Sequence, residues 1–81
     1  MMYSSIFQRL RNLITEVVDV KRYLITINTY FEEDLKLTKD DLANLQKRIE
    51  NEFDMSLPDN IFKEFNTVGE IVGLIEAELG R

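Results

Sequence analysis

Carboxylates are the side chains of this chain whose types and spacing could do chemistry. Clustered carboxylates can hold a hard cation, or act together as a general acid and a general base. None of the clusters has the spacing of a calcium loop with its turn glycine, and paired catalysis needs a cleft with two unequal environments. We therefore expect no metal site and no catalytic residue. The clusters are Glu32, Glu33 and Asp34; Asp40 and Asp41; and Glu50, Glu52 and Asp54.

Two residue types that many active sites and metal sites use, Cys and His, are missing. The 81-residue chain contains no Cys and no His, so it lacks thiolate ligands, a cysteine nucleophile and the commonest general base. Its three glycines have neither the spacing of a dinucleotide fingerprint nor that of a phosphate-binding loop. Because no nucleophile–base pair or oxyanion motif is visible, an enzyme is the weakest functional hypothesis.

The charge balance restricts the partners. Ten Lys and Arg against fifteen Asp and Glu give a net charge of −5. This charge disfavours nucleic acid, because phosphate neutralisation needs clustered cations, and it disfavours anionic membranes. The chain has no apolar run of transmembrane length and no signal peptide. These features predict a single domain over residues 1–81 that is a soluble, cytoplasmic monomer without membrane insertion.

Apolar spacing and capping residues predict four helices, over residues 4–19, 38–53, 59–65 and 67–79. Each has a stripe of apolar residues at three- and four-residue steps, which in a small bundle forms core. Gly69 and Gly73 fall inside the last helix at four-residue spacing, where we interpret them as tolerated surface glycines rather than as a small-residue contact that permits close helix approach. The predicted caps are Ser5 with Gln8, Thr38 with Asp41, Asp59, Thr67 with Glu70, and Gly80 at the C-terminal end.

Residues 20–37 allow two interpretations. Tyr23, Ile25 and Ile27 alternate with other side chains and β-branched residues are dense, which favours a strand over residues 23–31. However, the chain contains no second strand candidate, and an isolated strand would leave its backbone groups unpaired. The alternative is a long ordered loop, which is unusual inside a compact domain.

The middle of the chain carries the motifs of a known family. The first motif is F-x-E-D-L, matched by Phe31, Glu33, Asp34 and Leu35. The second closes an apolar helix and is matched by Glu50, Glu52, Phe53, Leu57, Pro58 and Asp59. By these motifs the chain resembles the acyl carrier protein family from Ile6 to about Leu79. The resemblance implies an all-α fold, a small four-helix bundle with three longer helices, one short helix and a long loop between the first and second, plugged by Ile25 and Phe31.

The family's attachment motif, G-x-D-S-L, is altered here. In the family, the serine carries phosphopantetheine through a phosphodiester, and the residue at that place is Lys39, whose ammonium cannot form the ester. Lys36, Thr38 and Asp40 stand where the family has Gly, Asp and Leu. Thr38 has a hydroxyl but lies one residue early, and we interpret it as the helix N-cap. We therefore expect no cofactor, since the only serines, Ser4, Ser5 and Ser56, lie away from the mouth between loop and second helix.

Two functional hypotheses follow from the resemblance. In the first, the chain lacks the phosphopantetheine arm and docks a protein partner through its second helix. The alternative is a working acyl carrier of fatty-acid, lipid or polyketide-type biosynthesis, with phosphopantetheine on another hydroxyl. Non-covalent binding of an acyl chain between the helices also stays open.

The second helix is the predicted docking surface. In carrier proteins this helix is acidic and docks on basic patches of partner enzymes, and such complementarity speeds encounter. Here Asp41, Glu50 and Glu52 keep acids at matching places, but Lys47 and Arg48 add positive charge, so conventional partners would be steered less well. The alternative is a plain solvated face. The predicted partner surface consists of Lys36, Lys39, Asp40, Asp41, Asn44, Lys47 and Arg48.

Overall fold

Residues 2–80 fold into four α-helices, as predicted. A computed structural model describes residues 2–80, with α1 at Met2–Val17, α2 at Lys39–Phe53, α3 at Ile61–Glu64 and α4 at Val68–Leu79. No strand occurs between residues 2 and 80, so the all-α prediction is confirmed and the strand interpretation of residues 23–31 is wrong. None of the helices in this range combines the length and apolar character needed to cross a bilayer.

The apolar stripes of the helices meet in one core. α1 packs against both α2 and α4, and the side chains between them exclude water almost completely. Burial of this apolar surface is the main favourable term in folding a chain of this size. The fully buried side chains are Leu10, Ile14, Ile25, Phe31, Leu45, Ile49, Val68, Ile71, Val72 and Ile75.

The start of α2 follows the predicted capping pattern. The backbone N–H of Asp41 donates to Thr38 Oγ1 at 3.1 Å, and the backbone N–H of Thr38 donates to Asp41 Oδ2 at 3.0 Å. These reciprocal bonds form a capping box and satisfy amides that a helix start leaves free. The helix ends at Phe53 and is followed by Asp54, which adopts a left-handed conformation at φ 53°. The Thr38 prediction is therefore confirmed.

Two other predicted helix starts are wrong. α1 already begins at Met2, so Ser5 lies within the helix rather than at its cap. α3 begins at Ile61, after Asn60, which is left-handed at φ 63° and makes no side-chain cap bond. Asn tolerates this conformation better than most residues, and the turn that it makes places Asp59 outside the helix.

The long connection between α1 and α2 is an ordered loop that enters the core. After a 3-10 turn at Arg22–Leu24, Ile25 and Phe31 are buried, with exposures of 1% and 0%. The Phe31 ring meets Phe62 edge to face, with centroids 4.9 Å apart. The prediction that these two residues plug the bundle is confirmed. A strand would place Tyr23, Ile25 and Ile27 on one face. In the loop they differ, because Ile25 is buried whereas Tyr23 is 72% exposed and Ile27 is 40% exposed.

The same loop is fastened to the start of α4 by backbone hydrogen bonds. The N–H of Val68 donates to Thr29 O at 2.9 Å, and the N–H of Gly69 donates to Ile27 O at 2.8 Å. A Cβ at position 69 would lie 2.8 Å from Ile27 O, whereas one at Gly73 would meet nothing within 4 Å. Gly69 is thus required by close backbone approach. Its interpretation as a surface glycine is wrong, and only Gly73 fits it.

Candidate functional site: helix α2 and its cleft

Lys39 is the first residue of α2 and is exposed. It borders a cleft of about 450 Å³ between the first half of α2 and the segment that forms α3. Apolar groups from Leu42, Ala43 and Phe62 line part of the cleft, and charged groups lie around them. An ammonium group therefore stands at the mouth of a partly apolar groove. The remaining lining residues are Glu32, Gln46, Asp59, Asn60 and Lys63.

The hydroxyl next to Lys39 is already in use. Thr38 Oγ1 accepts the Asp41 N–H in the capping box, and Thr38 is extended at φ −81° and ψ 173°. Its oxygen is therefore turned toward the helix start, where it holds the end of the loop in register with α2.

Lys36 sets the approach of the loop to α2. It adopts a left-handed conformation with φ 58°, which a residue with a Cβ rarely takes. Its neighbours Leu35 and Leu37 are both buried, so the turn at Lys36 lets two adjacent residues enter the core. The Lys36 side chain is exposed, and the residue lies three positions before the start of α2.

The predicted partner surface divides into two rows along α2, each at four-residue steps. In the row of Asp40, Asn44 and Arg48, the Arg48 guanidinium donates to Asn44 Oδ1 at 3.1 Å and to Glu16 Oε1 of α1 at 2.6 Å. This row is tied to α1. In the row of Lys39, Ala43 and Lys47, all three residues are exposed, and Lys39 and Ala43 border the cleft.

The acids of α2 that resembled an acidic docking face are bonded within the protein. Asp41 caps the helix. Glu50 Oε2 accepts the Leu57 N–H at 2.7 Å, and Glu52 Oε2 pairs with Arg9 Nε at 2.9 Å. These three carboxylates thus position loops and helices. Glu52 is paired with a cation, whereas Asp41 and Glu50 accept from backbone amides and keep their charge.

Glu50 and Glu52 give a matched pair of substitutions on one helix. We expect Glu50→Ala to lower the free energy of unfolding by about 1–3 kcal/mol, because it leaves the half-buried Leu57 N–H without an acceptor. Glu52→Ala removes an exposed ion pair and is expected to cost about 0.2–1 kcal/mol. Urea unfolding followed by circular dichroism measures both. Equal losses in the two variants would contradict the structural role of Glu50.

The partners of this surface were not visible in the sequence. Glu16 and Arg48 are separated by 32 residues, and Arg9 and Glu52 by 43. Phe62 and Lys63 of α3 also reach the cleft, although neither was predicted to belong to a site. A carboxylate on the exposed side of α1 was the available signal for the first pair, but only the packing of α1 on α2 selects it.

Comparison with known proteins identifies the family. Residues 8–75 match the family described as "Phosphopantetheine attachment site". The chain is 39% identical over 76 residues to an acyl carrier protein of Borrelia garinii subsp. bavariensis, covering 94% of this chain and 95% of that protein. It is 32% identical over 79 residues to an acyl carrier protein of Picosynechococcus sp., covering 98% of each.

This four-helix bundle is a carrier-type domain. The chain belongs to the acyl carrier protein family. A third relative, the acyl carrier protein of Lactobacillus acidophilus, is 33% identical over 76 residues, covering 94% of this chain and 95% of that protein. Acyl carrier proteins are carrier proteins rather than enzymes.

Proposed function

We propose that this protein is an acyl-carrier-like interaction module that carries no phosphopantetheine arm and docks a protein partner through α2. The observation on which the proposal rests is Lys39. It occupies the place that the resemblance assigns to the attachment serine, at the start of α2 and at the mouth of the cleft. A phosphodiester requires a hydroxyl at that place, and an ammonium group cannot supply one.

The neighbouring hydroxyls support the same conclusion. Thr38 Oγ1 is occupied by the capping bond. Ser56 follows the far end of α2, and the 15-residue helix separates it from Lys39 by about 20 Å along the helix axis. An arm on Ser56 would therefore leave from the wrong end of the helix. Nor is Lys39 explained by helix stability, because a cation in the first turn opposes the helix dipole.

On this proposal, the docking surface is made of the exposed α2 residues and the turn before it. Lys36, Lys39, Asp40 and Lys47 are exposed and make no side-chain bond with another residue in the range 2–80. Asp41, Asn44 and Arg48 frame this surface and hold it rigid through their bonds to Thr38 and Glu16. The module has no catalytic activity of its own.

A working acyl carrier is the second candidate function. The observation that favours it is the name shared by relatives that match almost the whole chain, at 39% and 32% identity. It requires that phosphopantetheine is attached to a hydroxyl elsewhere in the chain, because residue 39 is a lysine. The two candidates differ in one measurable property, the mass of the mature protein.

Intact mass spectrometry distinguishes the two candidates. The protein is weighed after purification from its own cells, and again after incubation with coenzyme A and a broad-specificity phosphopantetheinyl transferase. We expect the unmodified mass in both samples. We also expect Lys39→Ser to stay unmodified, because the transferase must recognise the surface around the serine as well.

A variant with the whole motif restored serves as the positive control. Lys36→Gly, Thr38→Asp, Lys39→Ser and Asp40→Leu together are expected to gain one phosphopantetheine-sized addition. If the unaltered protein gains that addition, the proposal is wrong, and fragment spectra will identify the modified hydroxyl. Efficient modification of Lys39→Ser alone would show that only the residue at position 39 has changed use.

A further inference from the structure

Two lysines, Lys39 and Lys47, lie on one exposed row of α2 that carries no carboxylate, although the net charge of the protein is −5. Three acids of α2, Asp41, Glu50 and Glu52, are bonded within the fold. The ammonium groups of Lys36, Lys39 and Lys47 have no bonding partner among residues 2–80. The acids left free are Asp40, on the row that is tied to α1, and Asp54, at the far end of the helix.

The exposed row of α2 that begins at Lys39 runs away from the cleft, which Lys39 and Ala43 border. Lys39 and Lys47 stand on one row eight residues apart, which places their Cα atoms about 12 Å apart along the helix axis. Ala43 lies between them and is exposed, so its small side chain leaves the surface between the two cations open. Lys63 borders the same cleft from the other side, together with the carboxylates of Glu32 and Asp59.

We infer that the partner docked by α2 presents an acidic protein segment, with carboxylates spaced to meet Lys39 and Lys47. The inference rests on the proposed function and names the chemistry of its partner. Complementary charge at an interface raises the association rate and selects the partner, while like charge rejects others. A basic patch, of the kind on which an acidic carrier helix docks, would be repelled by Lys39 and Lys47. An acidic segment is attracted to these two cations.

The probe for this surface is a short acidic peptide. The ¹⁵N-labelled full chain is titrated with hexaglutamate, and separately with hexalysine, at equal ionic strength. We expect hexaglutamate to move the amide signals of residues 36–47 and of Lys63, and 0.5 M NaCl to weaken its binding by about tenfold or more, because salt screens exposed charges. Hexalysine is expected to leave residues 36–47 unmoved.

Two variants with the same change in net charge provide the control. Lys39→Glu with Lys47→Glu is expected to weaken hexaglutamate binding about tenfold or more. Lys21→Glu with Arg22→Glu alters two exposed cations in the loop and is expected to change binding less than about twofold. Equal weakening in both variants would overturn the inference, because attraction would then follow net charge alone.

Other outcomes separate this inference from the proposed function. Movement of residues 36–47 by hexalysine, or binding of residues 36–47 to phosphatidylglycerol vesicles in preference to hexaglutamate, would overturn the acidic-partner inference alone. A phosphopantetheine-sized mass addition would overturn the proposed function, whatever the peptides do. The titration can therefore contradict the acidic-partner inference, and the mass measurement the proposed function, independently of each other.

Discussion

Phe31→Ala is expected to lower the free energy of unfolding by about 3–5 kcal/mol. The Phe31 side chain is fully buried, and its ring packs edge to face against Phe62. Truncation to alanine removes this contact and leaves a cavity where the loop, α3 and the core meet, which the surrounding side chains can fill only in part. Since small domains have total stabilities of about 5–15 kcal/mol, this one substitution removes a large part of the margin.

Urea unfolding followed by far-UV circular dichroism measures the loss. Tyr23→Ala is the matched control, because Tyr23 is an aromatic residue of the same loop but is 72% exposed, and its loss is expected to cost less than about 0.5 kcal/mol. If the two variants lose equal stability, the loop does not plug the core through Phe31.

Substituting the two glycines within α4 is expected to change stability in opposite directions. Gly73→Ala should stabilise the protein by up to about 1 kcal/mol, since alanine favours the helix and its Cβ would meet nothing within 4 Å. Gly69→Ala should destabilise it by about 1–3 kcal/mol, because the new Cβ forces the loop away. The obstructing atom is the Ile27 carbonyl oxygen, 2.8 Å from the Cβ position and itself the acceptor of the Gly69 N–H.

The opposite signs make this pair informative, because both changes are chemically identical and lie on one helix. Thermal and urea unfolding of both variants, measured against the unaltered protein, give the two differences. Stabilisation by both substitutions would mean that the loop shifts without cost. Amide signals of Ile27 and Thr29 that stay in place in Gly69→Ala would contradict the close approach directly.

Local patterns in the sequence predicted most of the fold. Thr38 followed by Asp41 predicts a helix start from four residues alone, and the structure contains that capping box. The same local logic was wrong at Asp59, because Asn60, rather than Asp59, precedes the first residue of α3 and adopts a left-handed conformation. Gly69 was misread because the atom that demands a glycine belongs to Ile27, in a distant part of the chain.

The candidate site was predictable as a set of positions but not as a set of interactions. Helical spacing placed Lys39, Asp40 and Arg48 on the outside of α2, where the structure has them. Which charges are free depends on partners brought together by packing, such as Glu16 for Arg48 and Leu57 for Glu50. Spacing along one helix carries no information on those partners.

The fastening of the loop to α4 makes two distant segments open and close together. The first amides of a helix have no acceptor within it, and here the carbonyls of Thr29 and Ile27 accept those of Val68 and Gly69. Detaching the loop would expose both amides to solvent exchange and remove Ile25 and Phe31 from the core in the same event. The loop and the start of α4 therefore form a single cooperative unit. Slow hydrogen exchange at Val68 would report on the state of a loop about forty residues earlier.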